Sequence, residues 1–303
     1  MGEMEQRKEI DYNPDNKLTV SNTYVRAIHP DRMGVNSMKL FRLVVTQCRK
    51  NDKEFFEYFA YPEDLAKAFG TNTKDIYRDI LPQRSRIELV QSVLVYSTDT
   101  KERVANIISV CDYNKETGEL YVKLSPDVTE LFLQLKERFT QIPISSILAM
   151  RSKHSIRIYE LICQTLNNRF PYSDVATEIK ISLDEARKVT NTHVHEVFEG
   201  KTKKTVGKSY DQVGHFKAKV LRPALEDIES AAEWHIECKD IKRRGKISGF
   251  LLTIWDANGW KTAQEYIERG EIPPRPKYRL RENVPVVEKQ VPGQMEITDF
   301  LKQ

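Results

Sequence analysis

The sequence has no apolar run near the roughly 20 residues that a helix needs to cross a bilayer, and its polar start lacks the apolar core of a secretory leader. Cysteine is scarce, since Cys48, Cys111, Cys163 and Cys238 stand far apart without a CxxC pair. Their spacing argues against a zinc site and a disulfide framework. We therefore expect a cytoplasmic protein with reduced thiols and no membrane contact.

Signatures of nucleotide hydrolysis and metal catalysis are also missing. No GxxxxGK[ST] motif occurs, and the run GKTKKT lacks the first glycine and a preceding apolar strand. His193 and His195 form a His-apolar-His pair, as in metal-dependent nicking enzymes. Those enzymes also need a tyrosine nucleophile, and Tyr210 is the nearby candidate for it. The residues around this pair look like a turn or insertion, and no third ligand is evident. We predict no catalytic residue, no metal, no cofactor and no enzymatic activity, with a metal-dependent nicking replication enzyme as an alternative.

Charged residues are plentiful but nearly balanced. The 303 residues contain 48 Lys and Arg against 44 Asp and Glu, so the net charge is only +4. A surface for an acidic partner must therefore arise from local clustering. Such clustering occurs between residues 201 and 246, with 12 Lys or Arg against 7 Asp or Glu.

The first half of the chain has the outline of a winged helix. Pro62 opens a short helix that Gly70 ends, and a longer helix is predicted from about Lys74 to Val93. Alternating residues at 119–124 then form one strand of a hairpin. A short helix, a longer helix and a hairpin in this order indicate a helix-turn-helix with a wing.

The second half repeats this plan. Ser182 caps a short helix, an insertion runs from 191 to 208, and a longer helix spans about 210–232 before a second hairpin. The two long helices contain Pro82 and Pro223, where we expect each helix to bend. A central segment, 124–166, joins the halves. It is predicted to hold an apolar helix face through Leu135, a break at Pro143 and a further helix.

Cationic and polar side chains mark a candidate DNA surface, because Arg, Lys and Gln can bond to base edges in the major groove. In the second half these are Gln212, His215, Lys217, Lys219 and Arg222 on the long helix, and Lys242, Arg243, Arg244 and Lys246 in the hairpin turn. In the first half Lys74, Tyr77 and Arg78 begin the long helix, and we expect them to contact the DNA backbone.

Three further cations, Arg151, Lys153 and Arg157, begin the helix of the central segment. They either contact DNA phosphates or join the two domains by ion pairs.

The C-terminal peptide follows a proline-rich linker. Its Gln294, Ile297, Phe300 and Leu301 have the spacing of peptides that bind sliding clamps. The alternative is a short amphipathic segment that closes onto the domain before it.

Three blocks resemble the iteron-binding plasmid replication initiators of the tandem winged-helix type. They are FTQIPISSILAMRSKHSIRIYELI at 139–162, FKAKVLRPALEDI at 216–228 and KRRGKISGFLLTIW at 242–255. The resemblance covers about residues 17–256, although the insertion at 191–208 departs from more compact members.

This resemblance implies an α+β fold with two tandem winged-helix domains joined by a central helical segment. The expected divisions are a disordered tail (1–16), a first domain for dimerisation and DNA-backbone contact (17–140), a second domain for sequence-specific recognition (141–256), and a last helix, linker and peptide (257–303). The implied function is to bind direct repeats in double-stranded DNA at an origin, promote melting and recruit the host replication initiator and helicase. The implied homodimer represses its own gene. A winged-helix transcriptional repressor without replication activity is the alternative.

Overall fold

The computed structural model describes most of the chain between residues 7 and 271. The described residues are 7–29, 33–49, 51–98, 100–167, 176–192, 195–199, 202–206, 210 and 212–271, with the backbone alone at 195–199 and 202–206. The order of helices and strands gives two successive winged-helix domains, as predicted.

The first domain combines short helices with a four-stranded sheet and a separate hairpin. Its elements are β1 (Arg7–Glu9), β2 (Lys17–Ser21), α1 (Asn22–Arg26), α2 (Val35–Val45), β3 (Glu57–Ala60), α3 (Pro62–Phe69), α4 (Thr73–Asp79), α5 (Gln83–Val90), β4 (Val93–Ser97), β5 (Glu102–Asn106), β6 (Ile108–Tyr113), β7 (Leu120–Leu124), a 3-10 turn (Pro126–Val128) and α6 (Thr129–Phe132). The sheet order is β1-β3-β7-β6, and β4 pairs with β5. Because β1 pairs in parallel with β3, the disorder predicted for 1–16 is wrong at residues 7–9.

Local capping signals determine the helix-turn-helix of the first domain. Pro62 is the first residue of α3, and Gly70 ends that helix in the left-handed conformation, with φ 61°. The Asn72 side chain accepts a hydrogen bond from the Asp75 N–H at 3.0 Å and so caps α4. The short helix and its turn are therefore confirmed.

The single long helix predicted at 74–93 is wrong. It is divided into α4 and α5, and Pro82 is the N-cap residue of α5 with an extended ψ of 143°. The residue before a proline is driven away from helical geometry, so Leu81 cannot continue α4. The proline breaks this helix, whereas a bend was expected.

The helix predicted after Ser125 is also shorter than expected. Ser125 accepts a hydrogen bond from the Asp127 N–H, but α6 ends at Phe132. Gln134 then has a positive φ of 53°, which takes the chain out of the helix before the predicted apolar face reaches Leu135.

The rest of the described chain packs helices on a three-stranded sheet. Its elements are β8 (Phe139–Pro143), α7 (Ile144–Ala149), α8 (Lys153–Leu166), β9 (Thr177–Ser182), α9 (Leu183–Val189), β10 (His195–Glu199), β11 (Thr202–Val206), α10 (Val213–Phe216), a π-helical segment (Lys217–Leu221), α11 (Arg222–Ala232), β12 (Trp234–Arg243), β13 (Lys246–Asp256) and α12 (Ala257–Glu268). The sheet has the order β12-β13-β9, with antiparallel pairs throughout.

The second domain follows its predicted outline closely at α9. Ser182 and Glu185 form a reciprocal capping box at the start of this helix. The insertion after α9 is different, because β10 and β11 form an antiparallel hairpin where a turn was expected. His195 begins β10, and His193 lies outside the described residues.

A buried ionic cluster joins α8 to α1 and α2. Arg42 on α2 donates from Nε to Glu160 Oε1 on α8 at 2.7 Å, and Arg157 on α8 donates to the other oxygen of Glu160. Arg157 also donates from Nη2 to the carbonyls of Val25 and Ala27 in the first domain, at 2.7 and 2.8 Å. The hydrophobic core around this cluster is continuous across both domains.

Candidate nucleic-acid interface

A helix built from α10, the π-helical segment and α11 forms one side of the candidate interface. We call it the recognition helix (213–232). Phe216, Val220 and Ile228 are buried on one side of it, and Phe216 stacks on Phe250 of β13. This packing turns the opposite side outward. His215, Lys219 and Arg222 are exposed there, and among the described residues none of them forms an ion pair.

The turn between β12 and β13 forms the second part of the interface, which we call the wing. Arg243 pairs with Lys246, so Arg244 and Gly245 make a two-residue turn with positive φ values of 50° and 77°. This geometry fits a type I′ turn, whose twist matches that of the strands. The side chains of Lys242, Arg243, Arg244 and Lys246 are all exposed at this tip.

Lys217 connects the recognition helix to the wing strand. Its Nζ lies 2.7 Å from Oδ1 and 2.8 Å from Oδ2 of Asp240 on β12. The charge of Lys217 is therefore paired within the protein, and the side chain fixes the angle between helix and wing. Gln212 is exposed at the N-cap position, where its carbonyl accepts the Phe216 N–H.

The first domain presents a weaker cationic surface. Lys74 and Arg78 are exposed on α4, but the Arg78 guanidinium pairs with Asp79 at 2.6 Å and with Asp75 at 2.8 Å. These two carboxylates cancel much of the positive potential near α4. Tyr77 is 48% exposed, and its hydroxyl lies 3.5 Å from that of Tyr113. A phosphate could approach the tyrosine hydroxyls and Lys74 more readily than Arg78.

The cations at the start of α8 lie in three different environments. Arg151 is exposed, and Lys153 is half-buried, which lowers the pKa of its amine. Arg157 is only 2% exposed, and its donors are directed at Glu160 and at backbone carbonyls. The predicted DNA contact of Arg157 is therefore wrong, because a buried guanidinium cannot reach a phosphate. Arg157 instead pairs with Glu160 on the same helix and donates hydrogen bonds to the carbonyls of Val25, Ala27 and Val189.

One acidic residue that the sequence analysis did not single out, Asp227, helps to hold the recognition helix in place. Asp227 accepts hydrogen bonds from the backbone N–H groups of Arg151 and Ser152, at 2.9 and 3.2 Å. It also faces Lys39 of α2, whose pKa is lowered by burial and partly restored by Asp227. Asp227 therefore links the recognition helix to the loop before α8 and lies near α2. The spacing of apolar residues places Asp227 on this helix but cannot identify these partners.

Gln294, Ile297, Phe300 and Leu301 lie outside the described residues. Within the described ranges no three His, Cys, Asp or Glu side chains gather as metal ligands would. No helix in the described part of the chain is long and apolar enough to span a membrane.

The fold and this surface define a tandem winged-helix protein with a cationic recognition helix and wing in its second domain. Two family models match the chain, one described as "Initiator Replication protein, WH1" over residues 17–163 and one as "Initiator Rep protein, WH2" over residues 201–254. The chain belongs to this family of replication initiator proteins.

The solved structure of an initiator protein shows the same fold. The Pi initiator protein in complex with iteron DNA aligns with a TM-score of 0.63 and 18% identity, over 81% of this chain and 99% of that chain. Two structures of RctB domains 2 and 3 align with TM-scores of 0.38 and 0.33, each at 12% identity, over 74% of this chain and 83% and 82% of theirs. A sequence search among proteins of curated function finds no match.

Proposed function

We propose that this protein initiates plasmid replication by binding direct repeats in origin DNA, after which the adjacent DNA melts and host replication proteins are recruited. The observation that supports this proposal is the exposure of His215, Lys219 and Arg222 beside the four cations of the wing. The Pi initiator, which shares the fold, binds iteron DNA in its solved structure.

The two parts of the interface suit different parts of the DNA. A recognition helix fits the major groove, where Arg and Lys can bond to guanine O6 and N7. The wing cations extend beyond the helix and are placed to neutralise phosphates, which strengthens binding to any sequence. On this proposal the helix determines the preferred repeat and the wing supplies much of the affinity.

Substitution of the exposed recognition-helix cations tests this proposal. We expect Arg222→Ala or Lys219→Ala to weaken binding to an origin repeat by about 1–3 kcal/mol more than binding to mixed-sequence DNA, if the side chain reads a base. Fluorescence anisotropy with both duplexes measures the difference. Lys261→Ala, an exposed lysine on α12, is the control. Equal losses on both duplexes would assign these side chains to phosphates.

We further propose that the protein forms a homodimer through the β4–β5 hairpin of the first domain. Val95 and Val104 face each other across the hairpin and are 36% and 69% exposed. Among the described strands, β5 pairs only with β4, so its outer edge can accept a strand. An antiparallel edge is self-complementary about a two-fold axis, which suits a second copy of this chain. Such a dimer would repress the initiator's own gene.

Sedimentation of the full chain tests the dimer. Val104→Asp places a charge at the proposed contact, and we expect it to leave monomers at concentrations where the parent chain dimerises. Ile267→Asp on α12 is a matched control, because Ile267 is also an exposed apolar residue. Dimers that survive Val104→Asp would place the contact elsewhere.

A replication assay separates this proposal from the alternatives. A plasmid that carries only the origin should replicate when this protein is supplied in trans, whereas a repressor without replication activity would bind DNA but not maintain that plasmid.

Incubation of supercoiled origin DNA with the protein and Mg²⁺ or Mn²⁺ tests the nicking alternative. Cleavage that depends on Tyr210 would overturn the non-enzymatic proposal.

The proposal that the C-terminal peptide binds a sliding clamp rests on the spacing of its residues alone. A synthetic peptide of residues 290–303 should bind purified host clamp, and replacement of Phe300 and Leu301 by Ala should abolish that binding. If the parent peptide does not bind, the segment has another role.

A further inference from the structure

A single carboxylate lies within the most cationic part of the candidate interface. The first half of the recognition helix, 213–222, and the end of the wing hairpin, 240–246, together contain seven Lys or Arg and one acidic residue. The cations are Lys217, Lys219, Arg222, Lys242, Arg243, Arg244 and Lys246, and the acidic residue is Asp240. A carboxylate that faces DNA repels the phosphates, so its presence on this surface needs a physical reason.

Among the described residues, Lys217 is the one of these seven cations whose charge is paired. Its Nζ lies 2.7 and 2.8 Å from the two carboxylate oxygens of Asp240, distances typical of charge-assisted hydrogen bonds. The pair is not enclosed by the protein, because the side chains of Lys217 and Asp240 are 35% and 25% exposed. The ammonium is therefore neutralised although it lies at the surface.

A buried aromatic contact holds the backbone beneath this pair in place. Phe216, the residue before Lys217, stacks on Phe250, and Phe250 lies directly opposite Asp240 in the pairing of β12 with β13. Both rings are buried. Because this contact fixes the recognition helix against the wing strand, the ion pair is already formed without DNA. A phosphate that approaches Lys217 must compete with Asp240 for the ammonium.

The pair removes one cation from sequence-independent binding. Each Lys or Arg that neutralises a phosphate releases counterions and strengthens binding to DNA of any sequence. On a preferred repeat, base contacts fix the recognition helix, so a released Lys217 gains only a phosphate that is already within reach. On other DNA the protein can shift toward the nearest phosphates. Release of Lys217 therefore favours other DNA more than the repeat, and specificity is the difference between these two affinities.

We propose that Asp240 is a specificity-determining residue, because it holds the Lys217 ammonium away from DNA phosphates and so limits binding to DNA outside the origin repeats. This inference rests on the proposed function, since it assumes that the recognition helix and the wing face DNA. Asp240 touches no base in this arrangement and acts through Lys217.

Neutralisation of Asp240 tests the proposal. Asp240→Asn keeps the shape of the side chain and removes its charge. Fluorescence anisotropy at several salt concentrations compares two duplexes of about 20 base pairs, one selected by the parent chain from a randomised pool and one of mixed sequence. We expect Asp240→Asn to bind the mixed duplex about two- to fivefold more tightly, with a slope of log K against log salt concentration that is steeper by about 0.9. The gain on the selected duplex should be smaller.

Two further variants show whether the gain comes from Lys217. Lys217→Ala leaves the Asp240 carboxylate unpaired at the interface, and we expect weaker binding to both duplexes. The double variant has neither charge, so its slope on the mixed duplex should return to that of the parent. Glu237→Gln is the matched control, because it also frees a paired lysine, Lys239, on β12 but lies on the other face of the strand. It should leave the slope unchanged.

The outcomes distinguish this inference from the proposed function. A parent chain that selects no preferred duplex would overturn the proposed function and this inference with it. If the parent has a clear preference, unchanged or weaker binding of Asp240→Asn to the mixed duplex would overturn this inference alone. A gain that persists in the double variant would come from the loss of the carboxylate's own repulsion, and would overturn the role assigned to Lys217.

Discussion

Two guanidinium groups, those of Arg42 and Arg157, are buried with the carboxylate of Glu160 between α2 and α8. Burial alone would raise the pKa of Glu160, but Arg42 and Arg157 outweigh that effect and hold the pKa below its usual range. The two guanidinium groups carry two positive charges, and Glu160 supplies one negative charge. Backbone carbonyls of Val25 and Ala27 accept the remaining donors of Arg157, which offsets the cost of burying the unmatched positive charge.

Removal of the shared carboxylate should destabilise the protein strongly. Glu160→Gln leaves two buried guanidinium groups without a counter-charge, and we expect a loss of roughly 3–5 kcal/mol in the free energy of unfolding, from denaturant titration. The exposed pair Arg84–Glu88 on α5 is the control, and Glu88→Gln should lose less than about 1 kcal/mol. Similar losses at the two sites would show that the buried cluster contributes little.

Stability should also fall on mild acidification because of His29. Burial and the nearby charges of Arg157 and Arg42 hold the pKa of His29 well below its usual value. The unfolded chain therefore takes up a proton as the pH falls below about 6.5, while the folded chain does not. Between pH 6.5 and 5 this histidine alone should lower the free energy of unfolding by up to about 2 kcal/mol.

His29→Phe isolates this contribution, because it keeps an aromatic ring against Tyr24 and removes the titrating group. We expect the variant to lose less stability than the parent between pH 6.5 and 5. Burial and Lys153 also lower the pKa of His154, to about 4, so a smaller dependence should remain. His215→Gln at the surface is the control. An unchanged slope in His29→Phe would contradict the prediction.

Gly249 on β13 lies so close to the neighbouring strand β9 that a side chain would not fit there. A Cβ at Gly249 on β13 would lie 2.6 Å from the Ile181 carbonyl oxygen on β9, and a backbone atom cannot move away cheaply. We expect Gly249→Ala to destabilise the second domain by about 1–3 kcal/mol, measured by thermal unfolding. Gly214→Ala in α10 is the control, since nothing lies near its Cβ position. That variant should be neutral or slightly stabilising.

The cationic turn of the wing should control how binding responds to salt. Each phosphate contact contributes about 0.9 to the slope of log K against log salt concentration. We expect Lys242→Ala, Arg243→Ala and Arg244→Gly each to lower that slope by about this amount, if each contacts a phosphate. Glycine is used at Arg244 because its φ is positive. Slopes that do not change would remove the wing from the interface.

Short-range signals in the sequence predict much of the element order but few of the contacts that position the interface. Gly70, Asn72 and the Ser182–Glu185 capping box act on neighbours within a few residues, so their roles are visible in the sequence. The partner of Glu160 is Arg42, 118 residues away, and no local pattern identifies it. The π-helical segment was not predicted, because Phe216, Val220, Ala224 and Ile228 recur every four residues as in an ordinary α-helical stripe.

At the scale of the whole molecule, the early and late parts of the chain are joined by strand pairing and by helix packing. β8 (Phe139–Pro143) pairs along its length with β2 (Lys17–Ser21), more than 100 residues earlier in the chain. α8 contacts α1 as well as α9, β9 and α11. α8 therefore packs against both the first helix of the chain and the recognition helix.

We therefore expect both domains to unfold in one cooperative transition. The three tryptophans, Trp234, Trp255 and Trp260, lie after β11, so their fluorescence reports the second domain, whereas far-UV circular dichroism reports helices and strands in both. If the shared core and the buried cluster couple the domains, the two probes should give the same midpoint, and the calorimetric and van't Hoff enthalpies should agree. In Glu160→Gln both midpoints should fall together. Separate transitions in the parent chain would show that the domains fold independently and that the junction does not hold the recognition helix in a fixed position.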